Sequence, residues 1–362
     1  MGIPRSPVLA LTMLLSLTAC ADPRSAAPSA DRVPLAVLGD SDSHAYQDRI
    51  SFPEGDAQRG GANRARSLQW TEVLARLRAH EIAPGEWGEW GTRGRWARVA
   101  ALWGGALRAP RKQDFEFNFA WSGARCADLL EGVGRQAPRL VARMDEHPEA
   151  WRNGVVVIRI GINDLGTREV LDAFARDGDS QGNRRTVDAC VAHVRATVGR
   201  IAERHPETAI LLVGVLDNVD WPRNLGRWQE PEARHRIASM LDRFDAGLRA
   251  IAGESPRRAF FDDRAFHRRL VGGRGPDGRP AYREVAVRDD TGAPVLSATF
   301  TEGDAASSLY LADGHAGTVL NAHWAQAVVA ALRADLGLPL TAISDAERDA
   351  FLLRTLAEAP EP

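Results

Sequence analysis

In the stretch LAVLGDSDSHAYQD, residues 35–48, an apolar run breaks at Gly39 and is followed at once by Asp40, Ser41, Asp42, Ser43 and His44. A serine hydroxyl is too weak an acid to attack a carbonyl unaided and needs a base within hydrogen-bonding reach. On a sharp turn at the tip of a buried strand, such a hydroxyl is presented as acyl-transfer enzymes present their nucleophile. The same residues also permit a structural reading, in which Asp40, Ser41 or Ser43 caps a following helix. The base that decides between the readings lies far along the chain. Asp313-Gly314-His315 puts an imidazole, whose ordinary pKa is near neutrality, next to an acid.

Elements that would bring these residues together are legible from apolar runs. Strands are expected at residues 33–39, 115–120, 154–161, 209–216 and 258–262, with helix-period segments between most of them. Alternating strands and helices imply parallel pairing with helices on both faces, a three-layer α/β/α sandwich around a mostly five-stranded sheet. In such sheets functional groups gather at the carboxyl edge. Asp40 and Ser41 follow the first run, Asn118 to Gly123 close the second, and Gly161-Ile162-Asn163-Asp164 follow the third, so all are expected on that edge.

The segments VLGDSDS, NFAWSGA, IGIND and DGHAGTVLNAHWAQAVV occur in that order across residues 33–335. Together the chain resembles the GDSL-type, or SGNH, serine hydrolases, with their flavodoxin-like sheet. The resemblance implies an ester hydrolase working through an acyl-serine intermediate without metal or organic cofactor. It assigns Ser41 as nucleophile, His315 as base and Asp313 as the acid that orients the imidazole. The oxyanion hole would comprise the backbone amides of Ser41 and Gly123 and the side-chain amide of Asn163. Two departures from the family pattern stand out: Asp42 takes a position usually apolar, and the acid precedes His315 by two residues rather than three. An acyltransferase on the same scaffold is the alternative. Asp42-Ser43-His44 also resembles the opening of two-metal phosphoesterases, but the histidine-bearing blocks such sites need are missing, because GIND carries no histidine and His315 and His323 are eight residues apart. A binding domain without catalysis would be expected to have lost one of Ser41, Gly123, Asn163 or His315. Of the other candidates, His44 should point away from Ser41 on an outgoing helix, His323 should pack against the sheet, and Ser43 should be a cap or turn residue. Arg159 interrupts an apolar strand and needs a partner, Asp40, Asp42 or a substrate acid.

Residues 1–19 combine Arg5, an apolar run and LTAC ending at Cys20, which resembles a bacterial lipoprotein signal. Lipidation of Cys20 would tie the mature chain to the periplasmic face of the cell envelope. Residues 20–34 read as a flexible tether, 35–340 as the hydrolase domain with insertions near 84–110 and 272–302, and 341–362 as a helix and tail. In an oxidising compartment Cys126 and Cys190 either pair or remain buried thiols. Trp87, Trp90, Trp96 and Trp103 in the first insertion are expected to form a satellite core, the alternative being a substrate groove; the second insertion should hold a hairpin turning at Asp290–Gly292. A net charge of −2 from 46 basic and 48 acidic residues argues against a nucleic-acid partner. A small-molecule, lipid or glycan ester is the expected substrate.

Overall fold

The computed structural model describes Pro28 and residues 31–102, 107–275 and 277–357. The expected signal segment, Cys20, most of the tether, Trp103 and the last five residues lie outside the described residues.

Strands β1 (Val33–Gly39), β2 (Ile82–Ala83), β3 (Trp87–Trp90), β4 (Lys112–Phe115), β5 (Val155–Arg159), β6 (Ala209–Val213) and β7 (Arg258–Phe261) appear in chain order. Five of them form the central sheet in the order β2-β1-β5-β6-β7, every pairing parallel. Alternate residues of each strand serve opposite faces. Leu35, Val37, Val155 and Val157 pack with helices Trp70–Leu77 and Thr318–Ala334 in one core, whereas Ala36, Leu38, Val156 and Ile158 pack with Gln136–Met144, Gln181–Arg204 and Pro231–Ala252 in the other. The register sets Gly39 opposite Arg159, Arg159 opposite Val213 and Val213 opposite Phe261, so four strands end level. Whatever follows them lands on one edge.

The run 115–120 is not a strand of this sheet. It meets β1 at one bridge, Val37 to Asn118, where the Val37 amide donates to the Phe117 carbonyl at 3.0 Å and the Phe119 amide to the Val37 carbonyl at 2.8 Å, while its Glu116 and Asn118 carbonyls are taken by the Arg108 guanidinium at 2.6 and 2.5 Å. The residues just before it, β4, pair instead with β3 in an antiparallel ribbon. The open edge of β1 goes to β2, which is two residues long.

The second insertion contributes β8 (Gly272–Arg274) and β9 (Pro280–Tyr282), then β10 (Val285–Arg288), β11 (Pro294–Glu302) and β12 (Ser308–Tyr310). The expected hairpin is β10–β11, closed by Asp289 and by Gly292 in a left-handed conformation. Strand β12 joins its edge and runs straight into Asp313. Among the described tryptophans of the first insertion there is no mutual burial: Trp90 is buried, but Trp87 and Trp96 are 43 % and 54 % exposed. Trp87 meets only the edge of Phe115, and Trp96 stands on a surface helix beside Arg95. The C-terminal helix, Asp345–Ala357, sends Phe351 and Leu352 into the sheet's first core. No helix among the described residues is long and apolar enough to cross a membrane.

Candidate active site

At the end of β1 no helix follows. Asp40 closes a turn instead: its carboxylate accepts from the Asp42 amide at 3.0 Å and its carbonyl from the Ser43 and His44 amides. Gly39 is required here, because a Cβ would stand 2.2 Å from the Arg159 carbonyl oxygen. Ser41 is 7 % exposed, and neither its hydroxyl nor its amide has a hydrogen-bond partner among the described residues. Asp40 is fully buried, and desolvation together with the nearby Asp42 charge raises its pKa well above the carboxylate range. Ser43 is buried and accepts from the Trp70 indole at 3.2 Å, a structural task.

The second block presents Gly123 at φ +86°, left-handed geometry that strains any L side chain. Its amide has no acceptor among the described residues, and the space at its Cβ position is open. After β5, Asn163 donates one amide hydrogen to the Ala124 carbonyl at 2.9 Å, which leaves its second hydrogen uncommitted. Just beyond, Asp164 accepts from the Cys126 amide at 2.9 Å. Cys126 and Cys190 form a disulfide, closing a separation of 64 residues. The Gly123 turn is thereby fastened to the Asn163 loop and to helix Gln181–Arg204. Among the described residues the one grouping of potential metal-ligand side chains is Cys126, Asp164 and Cys190, and there the two sulfurs bond to each other.

Asp313 Oδ1 lies 3.0 Å from His315 Nδ1 and accepts from the His315 amide at 3.1 Å. The two-residue spacing therefore still brings acid and imidazole together, because Gly314 turns at φ +89°. The other carboxylate oxygen is held by Arg59, which no motif or spacing marks. Arg59 donates to Oδ2 from its amide at 2.9 Å and from Nη1 at 2.7 Å, and Nη1 also stands 2.7 Å from His315 Nδ1. Arg59 is 1 % exposed, adopts φ +56°, stacks on Phe52 at 4.3 Å and donates to Ser122 Oγ at 2.8 Å. Burial works against the Asp313 charge, but the His315 hydrogen bond and the Arg59 cation outweigh it and hold the carboxyl far below its usual range.

A second imidazole and acid stand across Arg59. The Ser122 amide donates to His44 Nδ1 at 3.2 Å, with Ser122 Oγ at 3.1 Å, so Nε2 carries the proton shared with Asp48 at 2.8 Å. Burial and the Lys112 cation lower the His44 pKa to about 4. His44 points away from Ser41, as expected, though because of a turn rather than a helix. His323, on helix Thr318–Ala334, lies near Arg348 and Asp345 of the C-terminal region, and burial lowers it to about 3. Arg159 pairs with Asp263 at 3.0 Å and donates to the backbone carbonyl of Asp42 at 2.9 Å, rather than to either carboxylate expected.

The GDSL-like lipase/acylhydrolase family model matches residues 81–278, just over half of the chain. The chain belongs to this family. As a member it is a hydrolase of ester bonds, with a small-molecule ester as substrate. The matched span contains Gly123 and Asn163; Ser41 and the Asp313–His315 pair lie on either side of it. No curated protein matches the chain significantly. Solved structures similar to it include an extracellular lipase from Streptomyces rimosus, at 16 % identity and TM-score 0.34 over 73 % of this chain and 90 % of that one. Another, from Parabacteroides merdae and described as GDSL-like lipase, aligns at 17 % identity and TM-score 0.34, covering 72 % and 92 %.

Proposed function

We propose that this hydrolase cleaves its ester through an acyl-Ser41 intermediate. His315 Nε2 takes the Ser41 proton as the hydroxyl attacks and returns it to the leaving alcohol. With Nδ1 protonated and donating to Asp313, and Arg59 Nη1 donating to Asp313 Oδ2 rather than to the ring nitrogen beside it, the tautomer leaves Nε2 free to act as base. The oxyanion that develops on the attacked carbonyl meets the Ser41 and Gly123 amides and the second Asn163 hydrogen, donors in place before the reaction begins. Water then repeats the sequence on the acyl-enzyme. The observation that carries this reading is the Asp313–His315 contact of 3.0 Å, made where Gly314 and Ala316 line the same cavity as Asp42, the chain neighbour of Ser41.

Ser41→Ala should abolish turnover of a short-chain aryl ester while the circular dichroism spectrum stays that of the parent, and EDTA should leave the parent's rate unchanged. Retained turnover in the variant, or loss on chelation, contradicts the proposal. We further propose export and anchoring at the cell envelope through a lipidated Cys20, supported by the LTAC motif behind a short apolar run. Mass spectrometry of the mature N-terminus tests it: a diacylglyceryl cysteine is expected, and an unmodified residue there refutes the anchor.

A further inference from the structure

We propose that the cavity beside Ser41 receives a cationic, ammonium-type group of the ester substrate, with the Asp42 carboxylate as its counter-charge. This rests on the proposed role of Ser41, and it adds a substrate class. The cavity is a cleft open to solvent on one side, and its space of about 430 Å³ includes that mouth. Asp42, Ile162, Gly314 and Ala316 form part of its wall, and these are the chain neighbours of Ser41, Asn163 and His315. A group lodged there is therefore attached close to the bond being broken.

The charges of the wall do not cancel. Arg159 is committed to Asp263 at 3.0 Å and to the Asp42 carbonyl at 2.9 Å, and the second Asp263 oxygen accepts from the Trp324 indole at 2.7 Å. The Asp42 carboxylate has no hydrogen bond or ion pair among the described residues; only its backbone is engaged. One guanidinium thus faces two carboxylates. His267, also in the wall, adds no positive charge, because burial lowers its pKa to about 4. Burial raises the Asp263 pKa while Arg159 and the Trp324 indole oppose that rise, so the negative charge left without a partner is that of Asp42, the chain neighbour of the nucleophile.

A second observation is independent of charge. Asn218, 2 % exposed and part of the same wall, donates from its amide nitrogen to the Gly166 carbonyl at 2.8 Å, but its side-chain oxygen is buried without any donor. An unpaired buried acceptor is costly until a ligand supplies a donor or positive charge. Trp221 and Tyr310 add aromatic rings to the wall, and aromatic faces attract ammonium groups. The buried Trp221 indole N–H, also unpaired, is available to an ester or hydroxyl oxygen of the same ligand. A plain acyl chain would leave the Asn218 acceptor and the Trp221 donor unsatisfied, and an anionic group would meet the Asp42 charge directly.

The test uses acetylcholine and its uncharged isostere 3,3-dimethylbutyl acetate on the full chain and on Asp42→Asn. In the parent, kcat/KM should favour the cationic ester by about tenfold or more, and in the variant the ratio should fall to within about twofold of unity. Binding of choline against 3,3-dimethylbutanol, followed by titration calorimetry, should show the same preference and the same collapse without requiring turnover. Equal values for the charged and uncharged members in the parent, or a preference that survives Asp42→Asn, overturns the inference. Failure of the catalytic reading would look different: no fluorophosphonate label on Ser41, whatever choline binding shows.

Discussion

Two histidine–aspartate pairs stand on either side of Arg59, and they are built from the same residue types for opposite ends. In the Asp313–His315 pair the imidazole is 19 % exposed, and its acid is secured by three donors besides the ring nitrogen. In the Asp48–His44 pair both residues are buried and both ring nitrogens are spent, one on Asp48 and one on Ser122. A base must be able to gain and lose a proton during turnover, and His44, held to about 4 by burial and Lys112, stays neutral. Its service is positional: it fixes the Ser122 amide, one residue before the Gly123 amide that we assign to the oxyanion hole. The comparison teaches that a histidine near a serine in sequence, or even bonded to one, is not thereby a general base. What distinguishes the two is solvent access and a free ring nitrogen.

The distinction between the pairs fails outright if the assigned serine or histidine can be removed without effect. Ser41→Ala and His315→Ala should each lower kcat by at least about 10⁴-fold, measured on an aryl ester. Asp313→Asn should cost about 10³ to 10⁴-fold by presenting the wrong tautomer. The same change at Asp48 should cost no more than about tenfold, and similar losses for the two would erase the distinction. Arg59→Gln should slow turnover by about ten- to a hundredfold, because it frees both Asp313 and Ser122 from a shared anchor and misplaces the acid and the oxyanion turn. A rate within twofold of the parent would mean Arg59 only fills space.

The smallest effect concerns stability. The His44 pKa is lower in the folded protein than the ordinary imidazole value of 6.5, so its contribution is complete above that value. It is lost as pH falls from 6.5 toward about 4, where the unfolded chain binds a proton that the folded chain refuses. Relative to His44→Asn, the parent should lose up to about 3 kcal/mol over that window in denaturant titrations. A difference independent of pH would show that His44 is not held neutral.

Much of this site was legible because short motifs mark strand ends. Ser41, Gly123 and Asn163 follow apolar runs, and a parallel sheet with level strand ends carries them to one edge. The Asp313–His315 spacing looked short of a residue; the turn at Gly314 supplies the geometry that spacing alone did not reveal. Arg59 was invisible because its partner is 254 residues away and its loop has no periodicity. The run FEFNFA misled for a physical reason: it alternates like a strand and bonds β1 around Val37, but on its other side Arg108 takes the Glu116 and Asn118 carbonyls. Strand β2, at two residues, is too short to leave a pattern at all. The tryptophan insertion was read for mutual burial, whereas two of its rings face outward on a ribbon and a surface helix.

The central claim is that the proton leaves Ser41 for His315, and covalent labelling with a fluorophosphonate followed by peptide mapping tests it most directly. The account predicts a single adduct on Ser41, formed in the parent and lost in His315→Ala. An adduct on Ser122 instead would contradict it, for then the buried His44–Asp48 pair would be the reactive one.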